Sequence, residues 1–572
     1  MGEALVAQFA YLGTAAGVSC AVAAVAGLLS HWLYFIRGNR TMETVNIILF
    51  YILALALLLF KTTSSQGLYH GIISYAEISG SYFLALSTSI GIYRLFLHPL
   101  RRFPGPFPAK ITKLNTTWQN RDWKLHRRYL EMHEKYGDFV RVGKEAFCIW
   151  RRRAVDPARL HRTSGPNDIS IVNLEAFANI HGPQTKCTKR NTVFYDASIA
   201  KGELNLDALW HNEQHRDRRR VWDQALGTLE SYEVETRTVL RTFLSRLEQL
   251  QGIPINATLY AKLIPFDNMG RVGYGRDFRT VHDGREDRML DLIESGFKAM
   301  ARLGQASWLV AALMMLPRIG MMREFEELGE RLVDERISAD SDDAHDMIKY
   351  FLADLNAEKP KSFHNINVMY NDSKAILVGA TDTIACALAH AFFFIARDAN
   401  FRRRLYDDIA TAHGKTLPGE FTIADLNKLE FLDAAIHETL RIQAPAALNG
   451  PRMTPPEGIV VDGEHIPGGV TLCPKYWKRP NEFIPERWTT RPDLILDRRA
   501  FVPFSFGRFD CVGRRLAFNV LRLAIAYTLW NYDFSFAPGE DGRAFEEEAK
   551  FQLIIKPGKL DCVFVKRPEA AA

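Results

Sequence analysis

Between Ala4 and Phe35 the chain carries no Lys, Arg, Asp or Glu. A membrane-crossing helix needs about 20 such residues to span about 30 Å of hydrocarbon. No basic residue precedes Arg37. A cleaved signal peptide would begin with a basic stretch and have a shorter apolar core, so an uncleaved anchor is expected. A second uncharged run covers Thr44–Phe60. A third, Ile78–Tyr93, continues to Leu97 with Arg94 inside it and Glu77 at its start. Arg37 and Arg40 lie in the first connecting loop, Lys61 in the second, and Arg101, Arg102 and Lys110 after the third run. The positive-inside bias then puts the first loop and everything after residue 98 on the cytosolic side. One anchor followed by two buried or interfacial helices is the alternative.

Beyond the apolar runs, Pro99, Pro104, Pro106 and Pro108 crowd one short segment. Such a density opposes a helix and favours a stiff extended hinge. The chain therefore divides into an anchor of one to three transmembrane helices (1–98), a proline-rich hinge (99–108) and a large domain (109–572). Hydrophobic residues at 47% and charged residues at 24% exclude a disordered tail, a collagen repeat and a coiled coil. The net charge of +6 is too small to argue for nucleic acid. Seven scattered cysteines with no CxxC pair do not make a disulfide framework, and fit a reducing compartment.

In the large domain, helical patterns dominate: Glu213–Leu229, Thr236–Gln251, Arg288–Leu313, Ile366–Ala396, Ile423–Ile442 and Cys511–Asn531. Strand-like stretches are short: Val140–Val142, Phe147–Trp150, Ile459–Val461 and Phe551–Ile555. Strands do not alternate with helices, so a mainly α domain with small β-sheets is expected rather than a doubly wound sheet. No GxGxxG or Walker loop occurs, so no nucleotide domain is fused to the chain.

The sharpest local feature runs from Phe504 through Gly507 and Cys511 to Gly513, an FxxGxxxCxG pattern just before a helical run. Glycines let a backbone approach a flat ligand closely. A cysteine near a helix start is a good anionic metal ligand. A lone cysteine is more often a buried turn residue, but the whole pattern is rare. The loop resembles the heme-binding signature of the cytochrome P-450 superfamily of heme-thiolate monooxygenases. The resemblance implies heme b with Cys511 as axial thiolate, Phe504, Gly507 and Gly513 shaping the loop, and electron push toward O–O cleavage. The family usually has Arg two residues before the cysteine. Here that position is Phe509, with Arg508 one place earlier, as in some fungal members.

Further motifs follow the family's order. Glu438 and Arg441 lie three apart on one helix face; alone they read as an exposed ion pair worth under about 1 kcal/mol. The resemblance implies a buried cluster with Arg487 of the Pro485-Glu486-Arg487-Trp488 motif, placing the cysteine loop. Gly379-Ala380-Thr381-Asp382-Thr383 interrupts an apolar helix. Its plain reading is a Thr bonding back to a carbonyl four residues earlier; the resemblance makes Asp382 and Thr383 the distal pair that handles protons. His215 and Arg219 stand where the family has Trp and Arg for the heme propionates, and Arg452 matches another propionate partner. A solvated basic helix face is the plainer reading of His215, Arg216 and Arg218.

The resemblance covers nearly all of the chain from Pro99 onward. The N-terminal segment Ser30–Gly38 resembles a group of fungal secondary-metabolite members, some similar to tryprostatin hydroxylases. The implied protein is a membrane-bound monooxygenase of the endoplasmic reticulum with its catalytic domain facing the cytosol. It would insert one atom of O2 into an apolar small molecule, with electrons from a separate NADPH-dependent flavin reductase meeting Arg216, Arg218 and Arg514. Pocket candidates are Pro445–Asn449, Ile376 and Leu377. Membrane lipid is an expected partner, with a second apolar contact at Trp308–Met322; nucleic acid is not. From Ile466 to Pro485 the chain is short by roughly ten residues against the family's motif spacing. The missing piece would be a strand and turn before Lys475, through deletion or a mis-spliced gene. Alternatives are a catalytically impaired heme-binding protein, an oxygen-independent isomerase of the same fold, and a heme-free membrane scaffold.

Overall fold

The computed structural model describes residues 2–36, 43–112, 114–142, 169–171, 174–189, 195, 201–304, 307–314, 320–339, 345–412, 420–446, 450, 452–455, 458–461, 464–466 and 477–568. Three long helices open the chain: α1 (Gly2–Leu29, its last turn widening through Ser30–Phe35), α2 (Thr44–Gln66) and α3 (Leu68–Ile92). Only Gly67 separates α2 from α3, at φ +77°. That left-handed value suits glycine and folds the two helices into a hairpin. α3 packs on both α1 and α2. An ideal Cβ at Gly27 would lie 2.5 Å from the Tyr82 carbonyl oxygen, so glycine permits the α1–α3 approach. Tyr51 and Tyr82 share a 2.7 Å hydrogen bond, Tyr82 donates to Ser30 at 2.9 Å, and His31 meets Ser89 at 2.8 Å. Ala16–Phe35 and Thr44–Gln66 are long and apolar enough to cross a membrane. Ile366–Arg397 also is, but it is a core helix, most of its length being buried.

The proline segment is not fully extended. Pro99–Arg102 forms one 3-10 turn and Phe107–Ile111 one α turn. Each carries proline in its first turn, where the missing N–H has no intrahelical partner to lose.

The helices Leu114–Gln119 and Leu125–Tyr136 lead into a short antiparallel pair, β1 (Phe139–Arg141) and β2 (Ile169–Ile171). Then come α4 (Leu174–His181), α5 (Asn212–Ala225), α6 (Leu229–Gln249), strand β3 (Ile255–Asn256) and α7 (Ala257–Tyr274). α8 (Arg288–Leu303) and α9 (Ser307–Met314) are separate helices where periodicity suggested one. α10 (Ile366–Arg397) is the central element, packed against α7, and is followed by α11 (Glu430–Ile442) and α12 (Arg514–Asn531). The expected start of α12 at Cys511 moves to Arg514, with Gly513 as its N-cap.

The strands make four small antiparallel sheets among the described residues: β1–β2; β4 (Ile459–Val461) with β5 (Glu464–Ile466); β7 (Lys550–Gln552) with β8 (Ile554–Lys556); and β3 joined through β9 (Asp561–Lys566) to β6 (Tyr532–Phe536). The single strand expected over Phe551–Ile555 is instead the β7–β8 hairpin, turned at Leu553 with φ +66°. Phe147–Trp150 and the segment 467–476, where the shortened connection falls, lie outside the described residues. The core gathers around α10, with Phe392, Leu388, Phe266 and Leu523 fully buried. α9, inside the stretch expected to touch lipid, packs on α2 of the N-terminal bundle.

Candidate active site

Cys511 is held by backbone geometry before any ligand is considered. Its N–H donates to the Phe504 carbonyl at 2.9 Å. Gly507 has φ +80°, and an ideal Cβ there would lie 2.3 Å from the His181 carbonyl oxygen, so position and conformation both demand glycine. Gly513 is different: a Cβ there would meet only the Cys511 Sγ, at 3.9 Å, which is ordinary contact. The Cys511 side chain is accessible yet deeply surrounded. That burial raises its thiol pKa, opposed by the Gly513 N–H and the Arg219 guanidinium. A thiol in this position becomes a thiolate when a cation compensates the desolvation.

Glu438, Arg441 and Arg487 come together, fully sheltered. Arg441 grips the Glu438 carboxylate with two bonds of 2.8 and 3.0 Å, and Arg487 reaches it at 3.3 Å. The Ile484 N–H and the Trp488 indole complete the shell at 2.8 and 2.9 Å. Both guanidiniums also donate to backbone carbonyls, Arg441 to Pro480 and Glu482, Arg487 to Lys478, Arg479 and Leu494. From Trp488 a run of ring contacts passes through Phe501, His437 and Phe518 to Phe504. The clamp thus reaches the residue whose carbonyl receives the Cys511 N–H.

On α10, Thr383 donates to the Gly379 carbonyl at 2.7 Å, the back-bond of a slightly bent helix. Asp382 is buried and ion-paired to Lys556 of β8. Ile376 and Leu377, expected to line a pocket, are instead 2% and 1% exposed. Ile376 fills the space beside Gly273 of α7, 3.0 Å from the Cβ that a larger residue would carry. The open stripe is Ala375, Gly379 and Thr383, spaced four apart. Gly379 is exposed in mid-helix with nothing within 4 Å of a Cβ built on it. Polar and apolar residues are both buried along α10, Asp372 and Asp382 as well as Ile376 and Leu377, which hides this phase in the sequence.

The propionate candidates form part of a larger cationic group. His215 is buried with its ring edge-on to Phe509 at 4.7 Å, and burial, with Lys189 and Arg219 nearby, lowers its pKa to about 3. Arg219 donates to Asp223 at 2.9 Å and to both the carbonyl and the carboxylate of Asp510, so it braces the cysteine loop from α5. Arg452 donates to the Tyr195 hydroxyl at 2.5 Å and lies over the Phe509 ring at 5.5 Å. Lys189, unmarked by any sequence motif, is buried beside them, its ammonium 4.5 Å from the centre of Phe509. Burial, partly countered by Asp207 and reinforced by Arg452, lowers the Lys189 pKa to about 8. His181 is also buried. Neither ring nitrogen has a hydrogen-bond partner, and burial with Arg452 and Lys189 holds its pKa well below the ordinary value. Arg218, expected on a docking face, is buried against Asp372 at 3.2 Å. Arg216 and Arg514 are exposed.

An accessible cysteine beside a buried cluster of mutually repelling cations suits a flat metal-bearing group with two carboxylates. A sequence model of the family described as Cytochrome P450 matches residues 164–562. The chain belongs to the cytochrome P450 family. It is 30% identical over 511 residues to the cytochrome P450 monooxygenase sthD of Phaeosphaeria nodorum, covering 84% of this chain and 98% of that one. It is 29% identical to the monooxygenase orf5 of Eupenicillium brefeldianum, covering 87% of this chain and 97% of the relative. With the tryprostatin B 6-hydroxylase of Aspergillus fumigatus it shares 28% identity over 96% of both chains. The crystal structure of the cytochrome P450DA heme domain superposes with a TM-score of 0.63 at 15% identity, over 82% of this chain and 98% of that one. This P450 is thus a heme monooxygenase that uses O2, a redox partner and a small-molecule substrate. The expected fold, mainly helical with small sheets behind N-terminal apolar helices, is the one observed.

Proposed function

We propose that this P450 is a membrane-anchored hydroxylase or epoxidase of an apolar small molecule in fungal secondary metabolism. Cys511 would hold the heme iron through its sulfur, and Arg452, Lys189, His181 and His215 would donate toward the carboxylates of the heme. The observation that carries the reading is the Cys511 thiol, braced by Phe504 and Gly507 and set near the buried side chains of Lys189, His215 and Arg452, which gather around the Phe509 ring. Heme held there supplies O2 activation, one oxygen atom entering the substrate and the other leaving as water. The chain's own part is to bind, orient and protonate. Glu438, Arg441 and Arg487 fix the segment that carries the cysteine loop. The stripe Ala375–Gly379–Thr383 gives a surface with little side-chain bulk on the distal side, where substrate and O2 meet. Thr383 keeps its oxygen lone pairs available while its hydrogen is held by Gly379, so it can accept from a water. Asp382, one residue away, is the acid that relays protons.

The three N-terminal helices lie in the endoplasmic reticulum membrane with the catalytic domain in the cytosol, as the placement of Arg37, Arg40, Arg101 and Arg102 supports. A separate NADPH-dependent flavin reductase meets the exposed Arg216 and Arg514. Likeness to the tryprostatin B 6-hydroxylases supports hydroxylation of a small molecule. The test is the carbon-monoxide difference spectrum of the reduced, membrane-expressed protein. A thiolate-type Soret band in the parent that is lost in Cys511→Ala supports the assignment; a band that survives that substitution overturns it.

A further inference from the structure

Among the described residues, the buried carboxylates other than Asp382 are richly bonded. Asp267 accepts from the Thr280 and Val281 N–H groups and from the Thr280 hydroxyl. Asp372 accepts from the Leu206 N–H, the Trp222 indole and Arg218. Glu438 has the four partners described above. These three are structural: each ties distant segments together, and its desolvation is offset by hydrogen bonds. Asp382 is as deeply buried, at 1% exposure, yet neither of its oxygens accepts a hydrogen bond. Its partner among the described residues is the ammonium of Lys556. A carboxylate held in apolar surroundings by one ionic contact is poorly built for architecture and well suited to changing its proton.

The lysine is delivered with some care. It ends β8, in the hairpin that packs against α10 through β8 and against α8 through β7. The neighbouring Ile555 N–H is anchored to the Pro445 carbonyl at 2.9 Å, just beyond α11. Lys556 is only partly sheltered, its side chain keeping 18% of its exposure. Its other acidic neighbour is Glu294 on α8, which Lys262 and Lys298 bind at 2.9 and 2.6 Å. Burial works to raise the Glu294 pKa, but Lys262, Lys298 and Lys556 together bring it down to about 2. A row of charges therefore runs from the half-exposed Lys298 and Glu294 to the buried Asp382, with Lys556 at the step where solvent ends.

We propose that Lys556 is the positioning residue for proton delivery in this P450. Its ammonium keeps the Asp382 carboxylate ionised and aimed, and yields it when a proton is passed inward; solvent at the Glu294 end restores the proton. The inference rests on the proposed relay role of Asp382. The chemistry balances without a substrate: O2 takes two electrons and two protons to give hydrogen peroxide, or four of each to give two waters. The electrons come from NADPH through the reductase, and slow proton delivery shifts the outcome from water to peroxide.

The test uses the full-length holoenzyme in membranes with a fungal NADPH–P450 reductase, and reads substrate-free NADPH oxidation. The parent gives a NADPH:O2 ratio toward two. Lys556→Met moves it toward one, with peroxide rising about tenfold or more, less than the about 10²–10⁴ ascribed to a positioned acid because Lys556 acts through Asp382. Lys556→Arg, which keeps the charge, restores the ratio. A second readout is independent of turnover: Lys556→Met acquires an infrared band of a protonated carboxyl that vanishes in Lys556→Met/Asp382→Asn. If Lys556→Met loads heme poorly, the double variant, which removes the stranded charge, regains it. Peroxide yield and carboxyl spectrum both unchanged in Lys556→Met would overturn the inference. If Asp382→Asn alone changes nothing, the relay reading of Asp382 fails; if Asp382→Asn diverts to peroxide and Lys556→Met does not, only the role of Lys556 fails.

Discussion

Gly379 and Thr383 share a face of α10 but respond oppositely to a methyl group. Adding one at Gly379 meets nothing within 4 Å. Gly379→Ala removes the mid-helix glycine cost of about 0.5–1 kcal/mol and should raise the thermal unfolding midpoint. It also narrows the open stripe, so the spectral shift on titrating apolar ligands should weaken for bulky ones. Thr383→Ala removes the hydroxyl that donates to the Gly379 carbonyl. The CO spectrum should persist while reducing equivalents go to peroxide; an unchanged coupling ratio would deny Thr383 any part in proton handling. Gly507→Ala has no such tolerance. With φ at +80° and the His181 carbonyl 2.3 Å from the new Cβ, the cysteine loop must shift, and heme content after purification should fall.

At the level of elements, α11 and the segment 478–494 are joined through one carboxylate. Glu438→Gln keeps the shape but leaves Arg441 and Arg487 as buried cations without a counter-charge. Removing one member of a buried ion pair costs about 3–5 kcal/mol. Urea unfolding followed by the heme Soret band should show that loss, whereas Arg499→Ala, at an exposed pair with Asp497, should change little. The sequence told more about this cluster than about the rest of the site. Glu438, Arg441, Arg487 and Cys511 announce themselves through fixed local spacing. Lys189, His181 and Lys556 have no local signature; long-range folding alone brings them to the site, with Lys556 placed 174 positions after Asp382. Helix phase was the other blind spot. Because α10 buries the polar Asp372, Thr381 and Asp382 along with the apolar Ile376 and Leu377, polarity does not mark the residues that face open space. Helix starts and ends were read well where caps mark them, as Asn365 does by accepting from the Val368 N–H at 3.1 Å.

On the scale of the whole molecule, buried histidines set an acid limit. His390 donates from Nδ1 to the Cys386 carbonyl at 2.7 Å, and burial lowers its pKa to about 4. Burial, helped by Arg127 and Lys124, brings His126 to about 4 as well. Both stay neutral when folded and take up protons on unfolding below about pH 6.5. Their stability contribution is therefore complete above that value and lost as the pH falls toward 4. The urea midpoint should drop between pH 7 and 5, and less steeply in His390→Gln. Removing Met1–Phe103 tests a different property. The apolar helix α9 remains, so the truncated domain should still partition partly onto vesicles in low salt; complete solubility would exclude a second contact. In the full chain α9 rests on α2, while the peptide chain through Pro99 and Pro108 makes the other link. A body moored by a single line can swing and tumble; one moored by a line and a fender cannot. On a membrane, as proposed above, a redox partner would meet it at a nearly constant attitude, and their search for each other would become a matter of drifting across a surface rather than turning in a volume.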